Sequence, residues 1–123
     1  MTTRQIFNAS DARFVPDDRY GEPVEGMWWC NISYEMATGQ GSFLLRMDPG
    51  TSSKPHEHMD FEEFYVIDGE LVDNDGAVFR TGDFVSFGPG SKHWSTTDQG
   101  CTLAVFLRQA NRRLGEDERR NLE

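Results

Sequence analysis

Short apolar stretches separated by turn residues follow one another along most of this chain. From Met27 to Glu35, Trp28, Cys30, Ile32 and Tyr34 alternate with Trp29, Asn31 and Ser33. This period of two is typical of a half-buried strand. Further short strands are predicted at residues 42–47, 62–67, 70–73, 77–80, 84–87, 92–96 and 101–107. Because glycine-containing turns recur about every ten residues, the pattern predicts an all-β sandwich or barrel.

The two ends of the chain lack this regular alternation. Residues 1–26 are predicted to form an N-terminal arm with one short strand around Arg4 to Phe7. Residues 27–107 form the β-barrel body, and residues 108–123 form a charged C-terminal tail. A short helix is possible within residues 111–122, although Gly115 weakens its helical preference. The expected organisation is therefore one folded body with two extensions.

Composition and charge narrow the classes of partner. The chain has 123 residues, enough for one domain, and a net charge of −9 from 21 acidic and 12 basic residues. Such an acidic surface repels phosphate backbones, so we expect no nucleic-acid partner. No apolar run reaches the ~20 residues of a membrane span, and no secretory signal is evident, so a cytoplasmic protein without a membrane partner is expected. Cys30 and Cys101 are predicted to be reduced core residues.

The histidines carry the candidate chemistry. His56 and His58 are two residues apart, so on a strand both imidazoles project from one face. The third histidine, His93, follows the turn Gly88-Pro89-Gly90, and a carboxylate is available from Glu62 or Glu63. Three imidazoles with one carboxylate suit Zn, Fe, Mn, Ni or Cu. The alternative is that these are ordinary core or surface histidines, but all three lie within two glycine-framed segments.

Two spaced motifs resemble those of the cupin superfamily. Gly50-x5-His56-x-His58-x3-Glu62-x6-Gly69 is similar to the first cupin motif, and Gly82-Asp83-x4-Gly88-Pro89-Gly90-x2-His93 to the second. The second motif departs from the usual pattern at Gly88, where proline is common, and at Thr97, where asparagine is common. The resemblance implies a cupin double-stranded β-helix, which is a jelly-roll β-barrel. It also implies one divalent metal per chain (Fe, Zn, Mn or Ni), held by His56, His58, Glu62 and His93.

A finer likeness is to the metal-binding cupin domain of zinc-dependent anti-sigma factors and their stand-alone relatives. It lies in residues 62–73 and in Gly100-Cys101 before the last strand. The separate helical domain that binds a sigma factor has no counterpart in the predicted elements, so that activity is not carried over.

The resemblance favours a metal-dependent oxygenase, such as a dioxygenase, acting on a small aromatic or β-dicarbonyl-like molecule. Metal-assisted isomerisation or hydrolysis is a related reading, and no independent general base stands out, so catalytic residues beyond the ligands are not assigned. The alternative is a non-catalytic zinc-binding or ligand-sensing module; a purely structural metal is a third reading.

A small-molecule ligand and a homodimer, in which the N-terminal arm exchanges between subunits, are the expected partners. Candidates for the barrel interior are Trp28, Trp29, Phe43, Leu45, Phe64, Phe84, Phe87, Trp94 and Phe106.

Overall fold

The computed structural model describes residues 3–122, and its regular elements are almost all short strands. A 3-10 turn spans Ala9–Asp11 and precedes the first strand. The strands are β1 (Val15–Pro16), β2 (Met27–Asn31), β3 (Gly41–Met47), β4 (Thr51–Ser52), β5 (His56–Glu57), β6 (Glu62–Asp73), β7 (Val78–Arg80), β8 (Phe84–Phe87), β9 (Lys92–His93), β10 (Ser95–Thr97), β11 (Cys101–Leu107) and β12 (Arg112–Arg113). One helix, α1, spans Glu116–Arg120. The all-β fold class predicted from the alternation is confirmed.

The strands form a nine-stranded sheet and a three-stranded sheet, both antiparallel. The large sheet has the order β1-β2-β3-β11-β6-β10-β4, with β7 and β8 also paired to β6. The small sheet has the order β12-β5-β9 and carries two of the three histidines. Because β6 pairs with β11 and β8 at one end and with β10 and β7 at the other, the large sheet curls around this strand.

Strand β6 corrects one prediction. The sequence predicts separate strands at 62–67 and 70–73, with a turn at Asp68-Gly69, but the chain runs through this point as one 12-residue strand. Gly69 has a φ of +88°, and a Cβ there would collide with the backbone of Gly100 and Cys101, where β11 begins. The pairing with β11 also slips by one residue, since Leu103 faces Val66 but Thr102 faces Asp68. The glycine therefore permits a bulge and a bend rather than a chain reversal.

The core fills the space inside the curled sheet. Of the predicted interior residues, Trp29, Phe43, Leu45 and Phe64 are buried, and Phe87 packs against them while partly exposed. Trp28 and Trp94 are half-buried. The prediction was wrong for two residues: Phe84 and Phe106 are 59% and 42% exposed and stack on each other on the outer face of β8 and β11. The number of apolar residues in a short strand does not show which face of the strand packs against the core.

Both extensions contain structure that the sequence pattern did not place. Among the described residues no strand covers positions 4–7; the first strand is β1, paired with β2. Beyond the barrel, β12 pairs with β5, and α1 is shorter than the predicted helical segment. The division into residues 1–26, 27–107 and 108–123 stays a prediction, and its residues 1, 2 and 123 lie outside the described part. No helix between residues 3 and 122 has the length and apolar character that crossing a bilayer requires.

Candidate metal centre

The three histidines and Glu62 converge at one end of the barrel. One potential ligand atom from each of His56, His58, Glu62 and His93 lies within 4.8 Å of the others. The local fold explains the approach: β5 pairs with β9 so that His56 faces His93, while Glu62 begins β6. His58 follows β5, and its backbone exchanges hydrogen bonds with Gly90 and Ser91 of the second glycine-rich turn. The two motifs thus meet through backbone pairing.

Each imidazole is held from behind through its Nδ1 atom. His56 Nδ1 lies 2.7 Å from the backbone oxygen of Lys54, and His93 Nδ1 lies 2.7 Å from Asp73 Oδ1. His58 Nδ1 lies 2.8 Å from Ser91 Oγ, whose own hydroxyl donates to the Gly88 carbonyl. All three partners therefore act as acceptors, which places a proton on every Nδ1. In the neutral rings every Nε2 carries an unshared lone pair.

Those lone pairs face one another and the carboxylate of Glu62. His93 Nε2 and His56 Nε2 are 3.1 Å apart, and His58 Nε2 is 2.8 Å from Glu62 Oε2. In the neutral tautomers neither contact contains a proton, so positive charge is needed at the centre, from extra protons or from a cation. Three neutral nitrogen donors and one carboxylate oxygen are a donor set that divalent Zn, Fe, Mn or Ni accepts. The residues present fit such a metal.

The electrostatics of the site keep two of these donors, His56 and Glu62, in their metal-binding forms. Burial lowers the pKa of His56 to about 4, which outweighs the attraction of Glu62 and leaves the ring neutral at pH 7. Burial alone would raise the pKa of Glu62, but a hydrogen bond from His58 and positive charge on the nearby imidazoles, when these rings carry an extra proton, bring it to about 2. Burial also opposes ionisation of Asp73, yet its hydrogen bond with His93 gives it a lowered pKa. The acceptor behind His93 is thus an ionised carboxylate.

A cavity of about 80 Å³ adjoins the centre and continues into the barrel. His56, Glu62 and His93 form part of its wall, and its inner surface is apolar, including Met27, Phe43 and Leu103. Its mouth is polar: Tyr20 and Arg113 are exposed lining residues, and the lining residues Arg19 and Asn111 contact Tyr20. An apolar chamber with a few polar groups beside a donor cluster is the usual form of a small-molecule site.

Asn111 connects the C-terminal segment to the candidate ligands. Its Nδ2 donates to Glu62 Oε1 over 3.2 Å, and its backbone N–H donates to the Tyr20 hydroxyl over 3.2 Å. Its Oδ1 is buried, and no donor among the described residues reaches it. A buried carbonyl oxygen without a donor costs about 1–3 kcal/mol, so this atom has capacity to bind a water or a ligand.

The structure brings together all four predicted side chains and separates them from the neighbouring acids. Glu63 projects from the opposite face of β6, in register with Phe106 and Ser86. Asp60 is not among the converging side chains, and it accepts from the backbone N–H of Phe61. Sequence reasoning missed Asp73, Ser91 and Asn111.

Comparison with known proteins agrees with the cupin resemblance. Residues 3–111 match the ChrR cupin-like domain family. The chain belongs to this family. The resemblance to small metal-binding cupins and to the cupin domain of anti-sigma factors is therefore confirmed. A comparison with curated proteins finds no match.

Solved structures similar to this ChrR cupin-like domain include proteins with different named roles. An acetylacetone dioxygenase from Acinetobacter johnsonii is 14% identical, with 95% of this chain and 82% of that chain covered and a TM-score of 0.79. The polyketide cyclase RemF from Streptomyces resistomycificus is 21% identical, with 94% and 89% covered and a TM-score of 0.69. A chain from the complex of Rhodobacter sphaeroides SigE with the anti-sigma ChrR is 19% identical, with 80% and 50% covered and a TM-score of 0.60. These likenesses establish the shared cupin fold.

Proposed function

We propose that this ChrR cupin-like domain binds one divalent metal through His56, His58, Glu62 and His93 and acts as a metal-dependent oxygenase on a small organic molecule. The observation that carries the proposal is the set of three Nε2 lone pairs and one carboxylate that meet at the wall of the cavity. A site that only stabilised the fold would not need an adjoining apolar chamber.

Each part of the chain has a separate task in this proposal. The acceptors behind the imidazoles, Asp73, Ser91 and the Lys54 carbonyl, fix the rings so that their Nε2 atoms point inward. The apolar wall around Met27, Phe43 and Leu103 takes the body of the substrate and excludes water. When bound, a redox-active metal such as Fe would supply the electron exchange with O2 that oxygenation requires.

The amide of Asn111 is well placed for a positioning role. It holds Glu62 Oε1, which leaves Oε2 turned toward the histidines. Its buried Oδ1 is available to accept a hydrogen bond from a hydroxyl or from water in the cavity. The named activity of the acetylacetone dioxygenase neighbour supports oxygenase chemistry on this fold, although at 14% identity it supports only the compatibility of the fold.

A second function, a non-catalytic zinc-binding or ligand-sensing module, is favoured by one specific finding. The family is named for ChrR, and one structural neighbour comes from a complex between an anti-sigma protein and SigE. In that case the same four side chains would hold zinc, and the cavity would bind a signal molecule rather than a substrate.

Metal analysis followed by oxygen uptake separates the two functions. Protein purified without added metal is analysed by plasma mass spectrometry, then loaded with Fe(II) and assayed with a panel of diketones and catechols. The oxygenase proposal predicts about one metal per chain and oxygen consumption that depends on both Fe(II) and one of the compounds. One bound zinc per chain, with no oxygen uptake after Fe(II) loading, would favour the sensing module.

The expected homodimer and the cytoplasmic location stay predictions. Sedimentation equilibrium of the purified chain tests the first, with a particle of two chains as the expected result.

A further inference from the structure

The mouth of the cavity contains a buried arginine, Arg19, which uses only part of its guanidinium group for hydrogen bonds. Arg19 Nε and Nη2 donate to the two carboxylate oxygens of Asp17, each over 2.9 Å. The two side chains are 8% and 3% exposed, and the guanidinium lies 4.1 Å from the ring centroid of Phe43. This pairing uses one edge of the guanidinium and leaves Nη1 without an acceptor among the described residues, and Arg19 is one of the residues that line the cavity.

A second arginine lies at the same mouth without an acidic partner. The guanidinium of Arg113 is 5.1 Å from the ring centroid of Tyr20, and that of Arg19 is 5.3 Å from the same ring. Among the described residues no carboxylate is within ion-pair distance of Arg113, whereas its neighbour Arg112 binds both Glu57 and Glu118. Two guanidinium groups therefore lie near one aromatic ring, and among the described residues only Arg19 of the two has a carboxylate partner.

The charge of the cavity is opposite in sign to that of the whole chain. Its lining includes three cations, Arg19, Lys54 and Arg113, and two carboxylates, Asp17 and Glu62. With neutral histidines this leaves one positive charge, three minus two, and a bound divalent metal would raise the total to three. The whole chain carries −9. A cationic recess in an acidic protein concentrates anions at that point.

From this juxtaposition we infer that the mouth is a carboxylate subsite and that the ligand is a small organic acid with an apolar body. The carboxylate binds Arg113 and the free Nη1 of Arg19, while the apolar part extends past the candidate metal ligands toward Phe43 and Leu103. This inference rests on the proposed function for the chemistry at the metal, and it adds the charge class of the molecule that the metal acts on.

The test compares phenylacetate with phenylacetamide, which have similar shape but differ in charge. Binding of each is measured by isothermal titration calorimetry to the wild type and to Arg113→Gln, with the metal content of every sample recorded. Wild type should bind the acid more tightly than the amide. Arg113→Gln should weaken binding of the acid about fivefold, the scale of one partly exposed charge-assisted contact, and leave the amide unchanged.

Matched variants control for total charge and for loosening of the C-terminal segment. Arg112→Gln removes the same charge from the same strand and also breaks two ion pairs, so it should disturb the segment more yet leave the preference for the acid unchanged. Arg113→Lys keeps the charge but loses the planar fork, and part of the acid binding should return. A thermal melt of each variant confirms that the compared samples are folded.

Three results would overturn the inference: equal affinity of the wild type for acid and amide, equal weakening of both by Arg113→Gln, or no binding of the acid at millimolar concentration. The proposed function fails in a different way. A protein that selects the acid through Arg113 but consumes no oxygen after Fe(II) loading would refute the oxygenase and retain the subsite. Iron-dependent oxygen uptake by a protein without selectivity for the acid would support the oxygenase and refute the subsite.

Discussion

The two sides of the candidate metal centre are supported in different ways. On the closed side, His58 is fully buried and His93 is 5% exposed, and each ring is held by a side chain, Ser91 or Asp73. On the open side, the side chains of His56 and Glu62 are 15% and 11% exposed. There, His56 rests on a backbone carbonyl, and Glu62 is held by Asn111 from the C-terminal segment.

This difference indicates that the closed side holds its metal ligands rigidly, whereas the ligands of the open side can adjust their positions. The supports of the closed side belong to the barrel and its second glycine-rich turn, so they form whenever the barrel folds. On the open side, Glu62 depends on Asn111, which adjoins β12, and among the described strands β12 pairs only with the short strand β5. Substitutions on the closed side should therefore change metal affinity strongly, while those on the open side should change it weakly unless they remove a ligand.

The largest effect is expected from Glu62→Gln. Loss of the carboxylate charge should lower metal affinity more than about 100-fold, beyond the 10–100-fold typical of outer partners. Competition with a fluorescent chelator measures the affinity. Glu63→Gln is the matched control on the opposite face of β6 and should leave affinity unchanged. Undiminished binding by Glu62→Gln would show that this carboxylate is not a ligand.

Asp73→Asn tests the strongest support of the closed side. The amide keeps the shape and an acceptor oxygen but loses the charge behind His93, so metal affinity should fall about 30-fold. Asp75→Asn, in the turn that follows, keeps its own hydrogen bond to Ala77 and serves as the control. Equal affinities of the two variants would contradict the assigned role of Asp73.

Ser91→Ala tests the other support of the closed side. Removing the hydroxyl leaves His58 Nδ1 without its acceptor and allows the ring to rotate, so metal affinity should fall about tenfold. The absorption spectrum of the Co(II)-loaded protein should also shift, because it reports ligand geometry directly. Ser86→Ala, on the outer face of β8, should leave both measurements unchanged.

Asn111→Leu should give the smallest change. It removes one hydrogen bond to Glu62 but also removes a buried carbonyl oxygen that lacks a donor, so the two contributions to folding partly cancel. We expect about a threefold loss of metal affinity and little change in the free energy of unfolding. A loss as large as that of Asp73→Asn would mean that the two sides are equally fixed.

The candidate ligands could be predicted from the sequence because they belong to local, regularly spaced motifs. Strand alternation places His56 and His58 on one face, and the glycine-framed turn brings His93 to them. Asp73 could not be predicted in the same way. It lies an odd number of residues after Glu62, so simple alternation assigns it to the opposite face, and only the register slip near Val66 turns it inward.

The mouth of the site was hidden from sequence reasoning for another reason. Asn111, Arg19 and Arg113 lie in segments without periodicity, and their approach depends on contacts between residues far apart in the chain, such as Asn111 with Tyr20. The sequence predicts the stretch around Arg112 only as part of a charged C-terminal tail. Among these charges, only the pairing of Arg112 and the lack of a pair at Arg113 carry information, and both require coordinates.

The register slip in β6 has a consequence for how this strand can change in length. Glu62 supplies a candidate ligand at one end, and Asp73 orients another ligand from the other end. Insertion or loss of one residue within 70–72 would turn Asp73 toward solvent and leave His93 without its acceptor, while Glu62 stayed in place. Ile67 is the bulged residue, because it has no partner on β11. Its loss would instead straighten the strand without reversing the side chain of Glu62 or of Asp73. Among homologues with an intact site, length changes in this half of the strand should therefore come two residues at a time.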